Sequence, residues 1–317
     1  MIKNNRGDLQ FSFAWIFAII AGMFILFLAI YGVSKFISIE RSSQEAQTAK
    51  DIGILINPLE SSFETGKRIM IKTPVETRIY TGCNNVSTFF GRQTIRTSQK
   101  TYNEWSTEGI NVGFSNKYIF SEYPVEGENF YLFSKQFEFP FKIADLIYLT
   151  STKDKYCFKN APKDIEEEIE DLIGKNLSEN ENFFTKDCPS ESINVCFGSG
   201  NDCDIKVNTI LKYVEKNGER TYYEGDALMY AAIFSNKENY ECQISRLMKR
   251  TEQLSAIYTD KSKFIYQKTG CNSELEVELT QLENTAKDFR NSEELNLINA
   301  LAENIKIKSE YGGCKLW

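Results

Sequence analysis

The feature that most constrains this chain is the run Phe11–Val33, FSFAWIFAIIAGMFILFLAIYGV, 23 residues without a charge and with Ser12 as the one clearly polar side chain. At 1.5 Å rise per residue, a helix of that length spans the roughly 30 Å hydrocarbon core of a bilayer with a little length left for tilt. A helix on the surface of a soluble protein turns one face to water, and this run has no polar face to turn. A cleaved secretory signal would carry a shorter apolar region, about 7–15 residues, ending at a small-residue cleavage site. Here Ser34, Lys35 and Phe36 follow, and then Glu40 and Arg41. The run is expected to stay on the protein as an anchor, with the lipid bilayer as its partner along residues 11–33.

Basic residues leave the orientation balanced: Lys3 and Arg6 precede the apolar run, Lys35 and Arg41 follow it, and acidic residues count little in the positive-inside bias. The cysteines break the tie. Cys83, Cys157, Cys188, Cys196, Cys203, Cys242, Cys271 and Cys314 all lie beyond the run. An even set of thiols on one side implies four disulfides in an oxidising compartment, hence a cytoplasmic N-terminus, a single-pass anchor in the cell membrane and an extracytoplasmic C-terminal domain. Structural zinc would need closely paired ligands, and the nearest cysteines, Cys196 and Cys203, are seven apart in a chain with no histidine.

The missing histidine also removes Ser-His-Asp and Cys-His nucleophile activation and His-ligated metal chemistry. No Walker or Rossmann glycine loop is present; carboxylate pairs, Ser-Lys dyads and Tyr acids stay open as the chemistry of a less expected extracytoplasmic enzyme, and the sequence names no catalytic residue, no metal ligand and no cofactor. The net charge is −7; residues 1–39 contribute +2 through Lys3, Arg6 and Lys35 against Asp8, which leaves −9 on the remainder. An acidic domain repels phosphate backbones, so nucleic acid is not an expected partner. A protein partner or self-association is.

The expected fold class is α+β, in four segments: tail and transmembrane helix over 1–36, a juxtamembrane helix or stalk over 37–66, a β-rich domain over 67–224 and a helical region over 225–317. Ala46, Ala49, Ile52, Ile56 and Leu59 form a helical stripe, so the anchor helix either continues to about Pro58 or breaks and restarts. From 67 to 160, alternating β-branched and aromatic residues between Gly, Asn and Pro breaks predict an antiparallel sheet, its aromatics weighed more as core than as groove. Ile165, Ile169, Leu172 and Ile173 mark a short helix whose acidic run, Glu166 to Asp171, reads as a solvated face. SINVCFGSGNDCDIKVN reads as a hairpin closed by Cys196–Cys203, with Asn201, Asp202 and Asp204 as turn residues in preference to calcium ligands. A helical hairpin near the C-terminus would bring Cys271 to Cys314. Cys83, Cys157, Cys188 and Cys242 keep three possible pairings. Asn85-Val-Ser87 and Asn176-Leu-Ser178 are possible glycosylation sequons at Asn85 and Asn176.

The N-terminus Lys3-Asn-Asn-Arg6-Gly7-Asp8-Leu9-Gln10-Phe11, running straight into the apolar helix, resembles the class III signal of archaeal type IV pilin-like proteins. That resemblance implies cleavage between Gly7 and Asp8, with Gln10 as the third mature residue. Ser12 stands where a glutamate would be expected at the fifth, and the head is larger than most pilins carry. FSFAWIFAII, FEFPFKIADLIYLTS, INVCF, EGDALMYAAIFS and Cys314-Lys-Leu-Trp317 resemble a group of single-span archaeal proteins with no known activity, which implies a topology without a mechanism.

Overall fold

The computed structural model describes residues 13–55, 68–86, 90–101, 103–173, 182–198, 200 and 202–317. Gly7, Asp8 and Asn176 lie outside the described residues. Helix α1 runs unbroken from Phe13 to Leu55. The continuous version of the anchor-plus-stalk expectation is the one observed.

The first sheet is built around four long strands, β1, β2, β6 and β7, with three short ones added. β1 (Arg68–Asn84), β2 (Arg92–Thr101), β3 (Glu104–Trp105), β4 (Val112–Phe114), β5 (Ile119–Phe120), β6 (Val125–Glu138) and β7 (Lys142–Ser151) give the order β3-β2-β1-β6-β7-β5, with β4 also pairing β2. The pairs are antiparallel except β5 with β7, which corrects the purely antiparallel expectation. Period-2 alternation sends successive side chains of β6 and β7 to opposite faces. Phe130, Leu132, Ile147 and Leu149 join Ile71, Ile79 and Ile95 on one face, where Ala49 and Ile52 of α1 cover them. Gly53 permits this close approach, since a Cβ there would lie 2.0 Å from Cζ of Phe114.

Tyr131, Phe133 and Tyr148 point the other way, into the main core. Across that core lies a second sheet of shorter strands, β8 (Tyr156–Lys159), β9 (Phe183–Phe184), β10 (Ile193–Phe197), β11 (Ile205–Asn208), β12 (Tyr213–Lys216) and β13 (Glu219–Tyr222), in the order β13-β12-β11-β10-β8-β9. Helix α2 (Lys163–Ile173) sits between β8 and β9 in sequence and buries Ile165, Ile169 and Leu172.

Here a sequence expectation fails. β10 and β11 pair in parallel, Val195 opposite Ile205 and Phe197 opposite Val207, so the segment is no hairpin. Parallel neighbours usually need a long crossover. The paired stretch is three residues, so the return path is only about 10 Å, within reach of a seven-residue connection. The Cys196–Cys203 bond ties that connection, and Gly200 lies against it: a Cβ there would be 2.9 Å from Sγ of Cys203. Asp204 spends its carboxylate on the backbone N–H of Asn194, 2.8 Å away.

Helix α3 (Gly225–Phe234) explains its own composition. A helix apolar all round has no face for water, and Ala227 through Phe234 are all buried. The helix packs on β5, β6 and β7 of one sheet and on β12 of the other. The expected helical region therefore contributes its first helix to the β core itself. Phe133, Tyr148, Phe183, Tyr230 and Phe234 form one connected set of tilted and edge-on rings there. At the C-terminal end of α3, Lys216 donates to the carbonyls of Ile233 and Ser235 and to Oε1 of Glu122, at 2.6, 3.0 and 2.6 Å; burial lowers its pKa. A cation on otherwise unbonded helix-end carbonyls also meets the negative end of the helix dipole.

Helix α4 (Lys237–Thr269) then crosses β1, β5, β7 and β13, and α5 (Glu276–Lys287) and α6 (Leu295–Tyr311) form the helical hairpin, with a single 3₁₀ turn at Ser292–Glu294 before α6. Four disulfides join Cys83 to Cys242, Cys157 to Cys188, Cys196 to Cys203 and Cys271 to Cys314.

Candidate functional site

Among the described residues, the bare part of α1 and a cleft at the start of α4 present chemistry to the outside. Phe13–Lys35 is long and apolar enough to cross a membrane, and none of it is buried against the rest of the protein. Its aromatics Trp15 and Tyr31 lie near the two ends of this stretch, the residue types that settle at a bilayer's two interfaces. About four turns beyond Lys35, the same helix docks on the large sheet through Ala49 and Ile52. Whatever holds the apolar half thus also aims the head.

The cleft has a volume of about 590 Å³. One wall is the end of β1, from Thr81 to Cys83, continued by Asn85. The opposite wall is the first two turns of α4, whose N-cap Asn236 accepts from the backbone N–H of Asn239. An Asn cap satisfies a backbone donor that the helix start leaves open. Cys83–Cys242 bolts the walls together across 159 residues of chain. Asn85 Nδ2 donates to Ser245 Oγ at 3.3 Å from wall to wall. A glycan on Asn85 would therefore occupy the mouth of the cleft.

Beneath the cleft lies a buried polar layer that the sequence did not announce. Asn239 Nδ2 donates to the carbonyl of Ile119 at 3.3 Å, and Gln243 Nε2 donates to the same carbonyl at 3.2 Å and to Oε1 of Gln93. Arg246, fully buried, donates from Nη1 to Gln243 Oε1 at 2.7 Å and to the Lys117 carbonyl at 2.8 Å. Its Nε and Nη2 reach the carbonyls of Phe90 and Ser115 at 2.9 and 3.0 Å. All these acceptors are neutral, and burial pulls the guanidinium pKa down to about 10, still far above neutrality. Its plane also lies over the Tyr118 ring, 4.6 Å from the centroid. Arg246 thus holds the segments before β2 and before β5 against α4. Arginine at a helical spacing looks like a surface residue in sequence, and only the approach of three carbonyls reveals it as core.

The aromatic residues of the β region divide between core and surface. Tyr118 and Tyr131 are core, Tyr131 donating its hydroxyl to the Leu172 carbonyl at 2.9 Å with burial pushing its pKa up to about 12. Tyr123 is 45% exposed on the cleft rim, its hydroxyl accepting from Arg96 Nη2 at 2.8 Å and its ring edge-on to Tyr80. Trp105 lies under the Arg78 guanidinium, 3.9 Å from its ring centroid.

A second groove of similar volume runs between the end of β6, the start of α3 and the middle of α6. Several of its charges are paired across elements. Glu168 of the acidic run accepts from Lys135 at 2.6 Å and from the Tyr230 hydroxyl at 3.2 Å, and Glu224 accepts from Lys212 at 2.6 Å. Glu166 and Glu170 face Lys186. The acidic run is partly a set of ties between α2, β6 and α3, where the sequence suggested a solvated face. Among the described residues, no group of three metal-type ligands forms.

No family model, curated protein or solved structure matches the chain.

Proposed function

We propose that this chain is a membrane-anchored, disulfide-stabilised cell-surface protein with a structural or interaction role, a pilin-like or envelope-assembly subunit whose N-terminus is cytoplasmic and whose head is extracytoplasmic. The observation that carries the reading is the continuity of α1. One rigid helix bears an apolar half open to lipid or to other copies and a second half packed on the head, so insertion or assembly through the first half sets the orientation of every head. Four disulfides, with every cysteine paired, suit an oxidising compartment. Arg6-Gly7 ahead of the apolar run supplies the expected signal-type cleavage, which would leave a mature chain beginning at Asp8.

Replacing Ala21 or Gly22 by Glu separates the versions. A charge in a helix packed among copies of itself abolishes assembly, whereas a lone anchor still inserts; filaments of normal length in either variant refute the polymer. Intact mass after alkylation, with and without reduction, tests processing and topology together. A mature chain starting at Asp8 without free thiols supports both, and an unprocessed chain with eight alkylated cysteines overturns both.

A second reading, a ligand-binding or adhesive head, is favoured by the cleft between β1 and α4, whose walls are covalently fixed before any ligand arrives.

A further inference from the structure

We propose that the cleft between the end of β1 and the start of α4 binds a neutral carbohydrate, with Tyr123 as the stacking ring and Asn85, Glu238 and Ser245 as hydroxyl partners. The inference rests on the reading of the head as a ligand-binding module and is independent of whether α1 assembles into filaments.

Three observations select the ligand class. The first is the pairing of chemistries on one rim. A pyranose has an apolar C–H face and an edge of adjacent hydroxyls, and it is recognised where an aromatic face lies beside planar amides and carboxylates. Tyr123 presents nearly half its surface, and its ring is held in place by Arg96 at the hydroxyl and Tyr80 at the edge. Asn85, Glu238 and Ser245 line the same cleft with donors and acceptors.

The second is charge. Glu238 and Glu241 face the cleft together with Arg290, and both oxygens of Glu241 accept from Ser292, its backbone N–H at 2.9 Å and its hydroxyl at 2.5 Å. The balance is acidic, which disfavours phosphate or sulfate at the α4 N-terminus, and Glu241 is already committed to Ser292, which leaves Glu238 as the carboxylate open to a ligand hydroxyl.

The third is the form of the cleft among the described residues. Strand addition needs an open sheet edge, and β1 lies inside the sheet between β2 and β6. Anchoring a peptide side chain needs an apolar pocket, whereas this lining mixes the Tyr123 ring and the disulfide with amides, hydroxyls and charged groups. The disulfide Cys83–Cys242 and the Asn239–Gln243–Arg246 layer beneath hold the walls, so little ordering cost remains for the ligand to meet.

The test uses the full chain in detergent, made in a host without N-glycosylation so that Asn85 is bare. It is applied to an array of neutral hexose and N-acetylhexosamine oligosaccharides alongside sulfated oligosaccharides, and the best neutral binder is then titrated in solution. Binding of neutral members is expected, weakened about tenfold or more by Tyr123→Ala and several-fold by Glu238→Gln, with unchanged circular dichroism and melting. Asn85→Gln, which keeps an amide but moves it, should weaken binding less than Tyr123→Ala. Preference for the sulfated members, no neutral binder, or neutral binding untouched by Tyr123→Ala each overturns the proposal. Loss of cleft binding with normal assembly, or the reverse in the Ala21→Glu chain, tells a failure here from a failure of the filament reading.

Discussion

The two sheets share one core but are held in different ways. In the large sheet β1 has 17 residues and β6 has 14, and both faces are covered, by α1 on one side and by the aromatic core on the other. In the small sheet the longest strand, β10, has five residues, and most of the pairing is over three or four positions. Ladder hydrogen bonds and side-chain burial grow with strand length, so short strands begin with less of both. Two of the four disulfides, Cys157–Cys188 and Cys196–Cys203, start on strands of the small sheet. The difference teaches that burial organises the first sheet, whereas covalent closure of local loops compensates for short ladders in the second.

The largest test of that contrast is the bond that ties the large sheet to α4. Replacing Cys83 and Cys242 by Ser releases a loop of 159 residues and should cost about 5 kcal/mol by loop entropy, read as a lower guanidinium midpoint for the whole head. A loss confined to the neighbourhood of α4 would mean that the head does not unfold as one unit. Next, Phe133→Ala removes the ring that touches both β9 and α3, at a cost of about 4 kcal/mol. Amide exchange should accelerate in both sheets, and acceleration in the large one alone would break the claim of a shared core.

Smaller and more local is Cys196→Ser with Cys203→Ser, whose short loop predicts about 2.5 kcal/mol. Exchange should rise at β10 and β11 while β1, β6 and β7 stay protected. An equal rise in the large sheet would remove the distinction between stapled and buried.

The smallest effect concerns the rim of the large sheet, where Lys100 and Lys153 converge on Glu76 and hold its carboxyl down to about 2. A carboxylate with a depressed folded pKa adds stability that is complete above its unfolded value, near 4.5, and is lost as pH falls towards 2. Melting temperature measured from pH 5 to pH 2 should therefore fall slightly more steeply in the parent than in Glu76→Gln. Parallel curves would show that the exposed pair contributes nothing measurable.

Much of this architecture was legible in the residues. Alternation around Phe130 to Phe133 and Ile147 to Leu149 announces a two-faced sheet, and the spacing of Ile165, Ile169 and Leu172 announces a helix. The parallel pairing of β10 with β11 was not legible, because Gly198 to Asp204 carries the turn residues of a hairpin and the choice of partner lies in the sheet beyond. The cleft was hidden for a similar reason: Tyr123 and Asn236 are 113 positions apart, and no local pattern places a strand end beside a helix start. Arg246 was hidden because three of its four acceptors are backbone carbonyls, which every residue has.

By itself, the sequence determined the features that depend on composition within a short window: an apolar helix long enough for a bilayer, strands and helices by their periods, and cysteines in a number that can pair completely. Tertiary structure decided which groups meet across long stretches of chain. It seated α3 between the sheets, since a helix with no polar face must be covered on all sides. It chose Cys83–Cys242 and Cys157–Cys188 among the open pairings, since bridging requires Cα atoms about 6 Å apart, a distance that packing sets and spacing in sequence does not.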